Sequence, residues 1–207
     1  MNINLENISK RYRHDWIFKG LNYSFKSGQN YGVLGQNGAG KSTLLQLISG
    51  YLSASAGEIS YEYQQNNIPR EEIFRYTTVA APYLSLIEEF NLLETIKFQS
   101  QFKIWQNSIS TKDILDLIQL PKIANQRPLR QFSSGMRQRV KLALAILSDA
   151  PLLLLDEPTI TLDTQAIDWF INLLKNHRPA QRCVIIASNV ENDFIDCGER
   201  LDLRSFK

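Results

Sequence analysis

Apolar and polar positions change their period several times along this 207-residue chain. Near the start, INLENI, WIF and LNYSF alternate roughly every second residue, which predicts short half-buried strands. Turns are expected around Arg13–Asp15 and Ser27–Gly28. NYGVLG (residues 30–35) is more continuously apolar and reads as a strand buried on both faces. In KSTLLQLISG the apolar residues stand at 44, 45, 47 and 48, a helical spacing, and Gly50 is a natural stop. GEISYEY and YTTVAA read as strands. Residues 90–120 follow a helical pattern through Leu92, Leu93, Ile96, Ile114, Leu115 and Ile118. A helix is predicted to open at Ser133–Ser134 and to run through VKLALAIL. Strand LLLL, helix 164–176, strand RCVIIAS and a short strand near RLDL complete the chain.

Strands alternating with helices predict an α/β fold with a mainly parallel sheet covered on both faces. The early strands and the helical middle stretch read as additions to that core. Without a repeat or an evident linker, residues 1–207 are expected to form a single domain, with a helical subdomain at about 84–147.

Composition narrows the function classes. The net charge of +2 points to neither a nucleic-acid footprint nor a polyanionic tail. No apolar run approaches the roughly 20 residues that span a bilayer, and MNINLENISKRYRHDW has no signal-type apolar core. A soluble, non-secreted protein is expected. Cys183 and Cys197 have no metal-type spacing and suit a reducing compartment. The two histidines, His14 and His177, are far apart and read as ordinary surface residues.

Candidate chemistry begins with LLLLDEP, residues 152–158. An apolar strand there ends in two adjacent carboxylates, Asp156 and Glu157, which repel each other and need a positive partner. GQNGAGKS, residues 35–42, supplies the context, because it matches the phosphate-loop pattern G-x-x-x-x-G-K-[ST] between a buried strand and a helix. Gly35, Gly38 and Gly40 let backbone amides turn inward, with Gln36, Asn37 and Ala39 between them. The helix from Lys41 aims its free N–H groups at the same anion. Lys41 adds charge near the β- and γ-phosphates, and Thr43 follows in the first helical turn. Ser42 and Asp156 are the expected Mg²⁺ ligands, and Glu157 is left to orient and deprotonate a water. The expected ligands are a nucleotide and Mg²⁺, and the resemblance described next implies that the nucleotide is ATP.

These motifs, with QFSSGMRQRVKLALAIL (residues 131–147) between them, resemble the ATP-binding cassette of ABC transporters in the family's order. The resemblance implies a P-loop NTPase core, an N-terminal antiparallel β subdomain and a helical subdomain. It identifies Ser133, Ser134 and Gly135 with the signature that closes on ATP held by a second cassette, although FSSGM departs from the usual form at Phe132, Ser134 and Met136. A two-fold homodimer around two ATPs follows from that geometry. Asp163, in ITLD, falls at a cross-dimer loop, and Tyr12, in SKRY, at the aromatic that stacks on adenine. Arg137 and Arg139 read as a solvated or dimer-facing surface.

Two positions depart from the family. Pro82, after Ala81, stands where a glutamine usually lies near the metal, and Asn189 stands in place of the switch histidine. Asn189 can donate to a γ-phosphate oxygen but cannot take up a proton near neutral pH. It could instead cap the turn at ENDF. The resemblance implies an ATPase that drives a separate transmembrane permease from the cytoplasmic face, and the two departures lead to the expectation of slow hydrolysis. Tyr83, Leu84, Leu86, Ile87 and Phe90 are expected to divide between subdomain core and a groove for that partner. Alternatives are a non-transport scaffold ATPase and a nucleotide-gated clamp that hardly hydrolyses.

Overall fold

A computed structural model describes residues 1–194 and 196–206. In chain order the elements are β1 (Asn2–Tyr12), β2 (Asp15–Phe25), β3 (Asn30–Leu34), α1 (Lys41–Ile48), β4 (Ala56–Tyr63), β5 (Asn66–Asn67), α2 (Ile73–Tyr76) and β6 (Thr77–Ala80). They continue with α3 (Leu92–Gln99), α4 (Thr111–Ile118), α5 (Ser134–Leu147), β7 (Leu152–Asp156), α6 (Thr164–Asn176), β8 (Cys183–Ala187) and β9 (Glu199–Asp202). Short 3₁₀ turns connect several of them. No helix of the described residues is long and apolar enough to cross a membrane.

The chain divides into two compact units. The first comprises residues 1–79, 151–157 and 179–207 and carries both sheets. One sheet has the order β2-β1-β4-β5 and is antiparallel, as in the pairs Ile3–Phe25 and Ile3–Tyr61. The other has the order β6-β7-β8-β3-β9, in which β7–β8, β8–β3 and β3–β9 run parallel. WIF and LNYSF, expected as two strands, are one. Gly20 takes a left-handed φ of 63° inside β2 and donates its N–H to the Ser9 hydroxyl, so a bulge absorbs the break in alternation. One apolar core joins Ile3, Phe18 and Phe25 of the antiparallel sheet to Val33, Leu154 and Ile185 of the parallel one. α1 buries Leu44, Leu45, Leu47 and Ile48 in that core against β7 and β8.

The second unit, residues 80–150 and 158–178, is helical. It is wider than the expected span of about 84–147, because α6 belongs to it. Helix ends follow local sequence: Asn91 with Glu94 and Ser110 with Asp113 form reciprocal caps, while Ser133 and Asp163 cap α5 and α6. The helical pattern over 90–120 is interrupted after Gln99. There the buried Gln106 side chain donates to the carbonyls of Ile146 and Ser148, and Trp105 bridges to Ser148. These tertiary bonds, with left-handed Asn107 and Ser108, compete with helix continuation. The YTTVAA strand is correspondingly short. It ends at Ala80, and the Ala81 carbonyl accepts from Lys141 Nζ at 3.0 Å.

Candidate functional site

Three strand ends lie at one level of the parallel sheet. Register pairs Asp156 with Ala187 and Val33 with Ala187, so the segments after β3, β7 and β8 emerge side by side. Ligands of open α/β sheets bind at such carboxyl ends. β8 stands between β3 and β7, so residues 187–189 emerge between the strand ends that carry the phosphate loop and the acidic pair.

The loop after β3 curls into α1, with Ala39 N donating to Gln36 O at 3.0 Å and Leu44 N to Gly40 O at 2.8 Å. Gly40 has φ 97°, and a Cβ there would lie 2.4 Å from Ile17 Cγ2, so conformation and space both require glycine. A cavity of about 350 Å³ is lined by Ile17, Gln36, Asn37, Gly38, Ala39, Gly40, Lys41, Ser42, Thr43 and Glu157. Nearly the whole expected phosphate loop is therefore gathered around one space. Lys41 is 6% exposed, donates to Gly35 O at 2.9 Å and pairs with Glu157 Oε1 at 3.1 Å.

Asp156 is buried at the end of β7, and neither carboxylate oxygen has a hydrogen bond of ordinary geometry. Burial raises its pKa above the usual carboxylate value. The nearby Ser42 hydroxyl and Lys41 oppose the rise, and the Glu157 charge adds to it. Two orphaned, buried oxygens beside a hydroxyl fit a hard divalent cation, which takes oxygen ligands. The residues present thus suit Mg²⁺.

Glu157 is built into a clasp. Its backbone is left-handed, with φ 45°, and its N–H donates to Ala187 O at 2.8 Å. Its Oε2 faces the Ser188 hydroxyl at 3.2 Å and the Asn189 N–H at 3.4 Å. The Asn189 side chain donates to Asn37 Oδ1 at 3.1 Å, and the turn at Glu191–Asp193 has no side-chain cap. Capping is therefore not the role of Asn189. Its amide is tied instead to the phosphate loop.

Tyr12 stands 46% exposed at the end of β1 with Lys10 Nζ 5.0 Å from its ring centre. It does not line the cavity, whereas Ile17, which sequence reasoning missed, does. An apolar strand residue carries no signal of its own that would have marked it.

In the second unit, Ser133 Oγ accepts from Met136 N at 3.2 Å at the exposed start of α5, with Ser134 beside it. A Cβ on Gly135 would meet Thr161 O at 3.0 Å, so small size matters there. Asp163 Oδ1 accepts from Ala166 N at 2.8 Å. Arg139 is partly exposed. Its guanidinium lies 4.5 Å from the Trp169 ring centre, and its Nε is buried. Arg137 faces Glu88 at 4.0 Å.

None of Tyr83, Leu84, Leu86, Ile87 and Phe90 is fully buried, contrary to the expectation that half of them form core. Tyr83, Leu84 and Ile87 are 43%, 41% and 38% exposed, and Phe90 rests on Phe98 with ring centres 5.7 Å apart. Leu84 and Leu86 line a cavity of about 290 Å³ with Pro82, Arg137, Lys141 and Ile160. The cysteines differ in setting. Cys183 is buried in β8, where burial pushes its thiol up to about 12, and Cys197 is half-buried.

Known proteins agree with this geometry. The chain is 28% identical over 192 residues to the lantibiotic transport ATP-binding protein SrtF of Streptococcus pyogenes, covering 91% of this chain and 80% of that one. Its fold is similar to a solved ATP-binding subunit of an ABC transporter, with a TM-score of 0.81, 21% identity, and coverage of 98% and 85% of the two chains. It is also similar to the dimeric structure of MJ0796, a bacterial ABC transporter cassette, with a TM-score of 0.78, 22% identity, and coverage of 97% and 94%. The family description "ABC transporter" matches residues 18–160, more than half of the sequence. On that match this chain belongs to the ABC transporter family as an ATP-binding cassette.

Proposed function

We propose that the chain is a Mg²⁺-dependent ATPase subunit that works as a head-to-tail dimer and drives a separate membrane-spanning partner. The observation that carries the reading is Asp156. A buried carboxylate with two unpartnered oxygens, next to a phosphate loop and followed by a lysine-paired glutamate, has no structural use of its own.

The steps follow from the residues. Amides of residues 36–43 and the start of α1 receive the phosphates, and Lys41 turns its charge from Glu157 to them. Asp156 and the Ser42 hydroxyl would hold Mg²⁺, which when bound would neutralise charge on the phosphate oxygens. Glu157, released from Lys41 and still held by residues 187–189, accepts a proton from a water in line with the γ-phosphate. Asn189 swings its amide from Asn37 to a γ-phosphate oxygen. Ser133, Ser134, Gly135 and Asp163 act on the nucleotide of a second copy, and Tyr12 packs against the adenine.

Membrane coupling rests on the transport names of relatives such as SrtF, and on the half-exposed apolar side chains of Leu84 and Ile87. These suit a helix laid in a groove. Asn189 and Pro82 favour slow turnover within the same reading, since the site has neither a titrating imidazole nor the family's amide at position 82.

Glu157→Gln tests it. The variant should bind Mg-ATP, lose turnover and accumulate as an ATP-bound dimer on sizing chromatography, whereas Lys41→Ala should bind nucleotide weakly. Undiminished turnover by Glu157→Gln removes Glu157 from the mechanism.

A further inference from the structure

We propose that Ser188 is a positioning residue for Glu157, and that the buried Asp193 is the brace that keeps its hydroxyl in place. The inference rests on the ATPase reading above and deepens it.

Ser188 is fully buried, at the point where β8 gives way to the segment that carries Asn189. Its hydroxyl touches three groups. It lies 2.5 Å from Asp193 Oδ2 and 3.2 Å from Glu157 Oε2, and it accepts the N–H of Val190 at 3.0 Å. Asp193 is itself 2% exposed, so its carboxylate is held inside the protein.

A hydroxyl has one proton to donate and two lone pairs. With Val190 N–H on a lone pair, that proton can go to one carboxylate at a time. In the arrangement described here the short contact gives it to Asp193, a charge-assisted bond of the strong kind. Glu157 can spare it, because Lys41 faces Oε1 at 3.1 Å and the Asn189 N–H reaches Oε2.

That balance changes once a triphosphate fills the cavity and draws the charge of Lys41. Glu157 then loses its ion pair at the moment when its carboxylate must stay aimed at a water. A rotation of one O–H bond brings the Ser188 proton to Oε2 without moving the oxygen, which Val190 continues to fix. Ser188 is thus a donor held in reserve. Asp193 stores its proton and sets the rotamer, and neither residue touches the nucleotide. The left-handed backbone of Glu157 gives the clasp a reason, since a strained residue keeps its geometry only when its surroundings over-determine it.

The test compares wild type, Ser188→Ala, Ser188→Thr and Asp193→Asn in the full chain, by steady-state ATPase, Mg-ATP binding and melting temperature. Ser188→Ala should lower kcat about tenfold with KM and nucleotide affinity within about twofold, since the lost bond serves the aim of the base. Ser188→Thr keeps the hydroxyl and should restore most of the rate. Asp193→Asn weakens the stored bond and should fall between wild type and Ser188→Ala. A purely structural role would lower melting temperature and affinity along with rate, and Thr would rescue by volume alone. Ser188→Val, which has the shape of Thr without the hydroxyl, therefore decides that case: a rate equal to that of Ser188→Thr overturns the inference. Equal kcat for wild type and folded Ser188→Ala also overturns it, while leaving the ATPase reading intact. A wild type without turnover overturns both.

Discussion

Asp156→Asn isolates the cost of keeping a metal ligand ready. The Asp156 carboxylate is 1% exposed, neither oxygen has a hydrogen bond of ordinary geometry, and Glu157 stands next to it. Leaving a buried polar group unsatisfied costs about 1–3 kcal/mol, and more when it is charged. Asparagine has nearly the same shape and also leaves polar atoms buried, but it removes the charge and the repulsion from Glu157. A net gain of about 1–2 kcal/mol is therefore expected for the variant without ligand. For a chain of this size each kcal/mol moves the melting temperature by about 2–4 °C, so the rise should be on the order of 5 °C. Mg-ATP should reverse the ranking. At a hundredfold excess over Kd, a ligand that binds only the folded state adds about 2.7 kcal/mol, and the variant should lose the share that depends on the metal. Calorimetric melting of both proteins, with ATP in EDTA and then with Mg-ATP, reads the two effects separately. A variant that melts below wild type without ligand, yet is stabilised by Mg-ATP as strongly, would refute the argument that Asp156 is kept strained for a cation.

Other perturbations address other parts of the molecule. Asn189→Ala should lower turnover by roughly tenfold to a hundredfold with little change in ATP affinity, and Asn189→His should stay active. Steady-state rates equal to wild type for Asn189→Ala would remove its amide from the reaction. Leu84→Glu or Ile87→Glu should release the protein from membranes of its own cell while ATP binding persists; unchanged retention of the folded variants counts against the groove. His177, at the end of α6, has its pKa lowered by burial, so the fold favours the neutral ring. The unfolded chain takes up a proton below about pH 6.5. Stability should therefore fall as pH drops from about 6.5 toward the lower folded value, and His177→Gln should lose that part of the slope in thermal melts between pH 5 and 8.

Much of this protein was legible in its sequence because the relevant physics is local. The helix start expected at Ser133–Ser134 is a cap whose side chain reaches only three residues ahead, whereas the equally local caps at Asn91, Ser110 and Asp163 went unread. Helix 164–176 needed no more than its cap and its apolar period. The phosphate loop is also a local object, in which glycine conformations and one helix start lie within a few residues of each other. The burial of Asp156 is likewise local, since it closes a fully apolar strand.

The tertiary structure alone decided what meets what. The strand order places β8 between β3 and β7 and so brings Ser188 and Asn189 onto Glu157. No spacing rule relates residues 37, 157 and 189; parallel strand register does. Ile17 entered the cavity because Gly40 has no Cβ to exclude it. The helical period over 90–120 broke where Gln106 found two carbonyls 40 and 42 residues away. The Arg139 guanidinium lies over the face of Trp169, a contact 30 residues away in sequence that no local pattern announces. For Gln106 a long-range partner outweighed the local preference, because a buried polar side chain is satisfied wherever its partner lies in the chain.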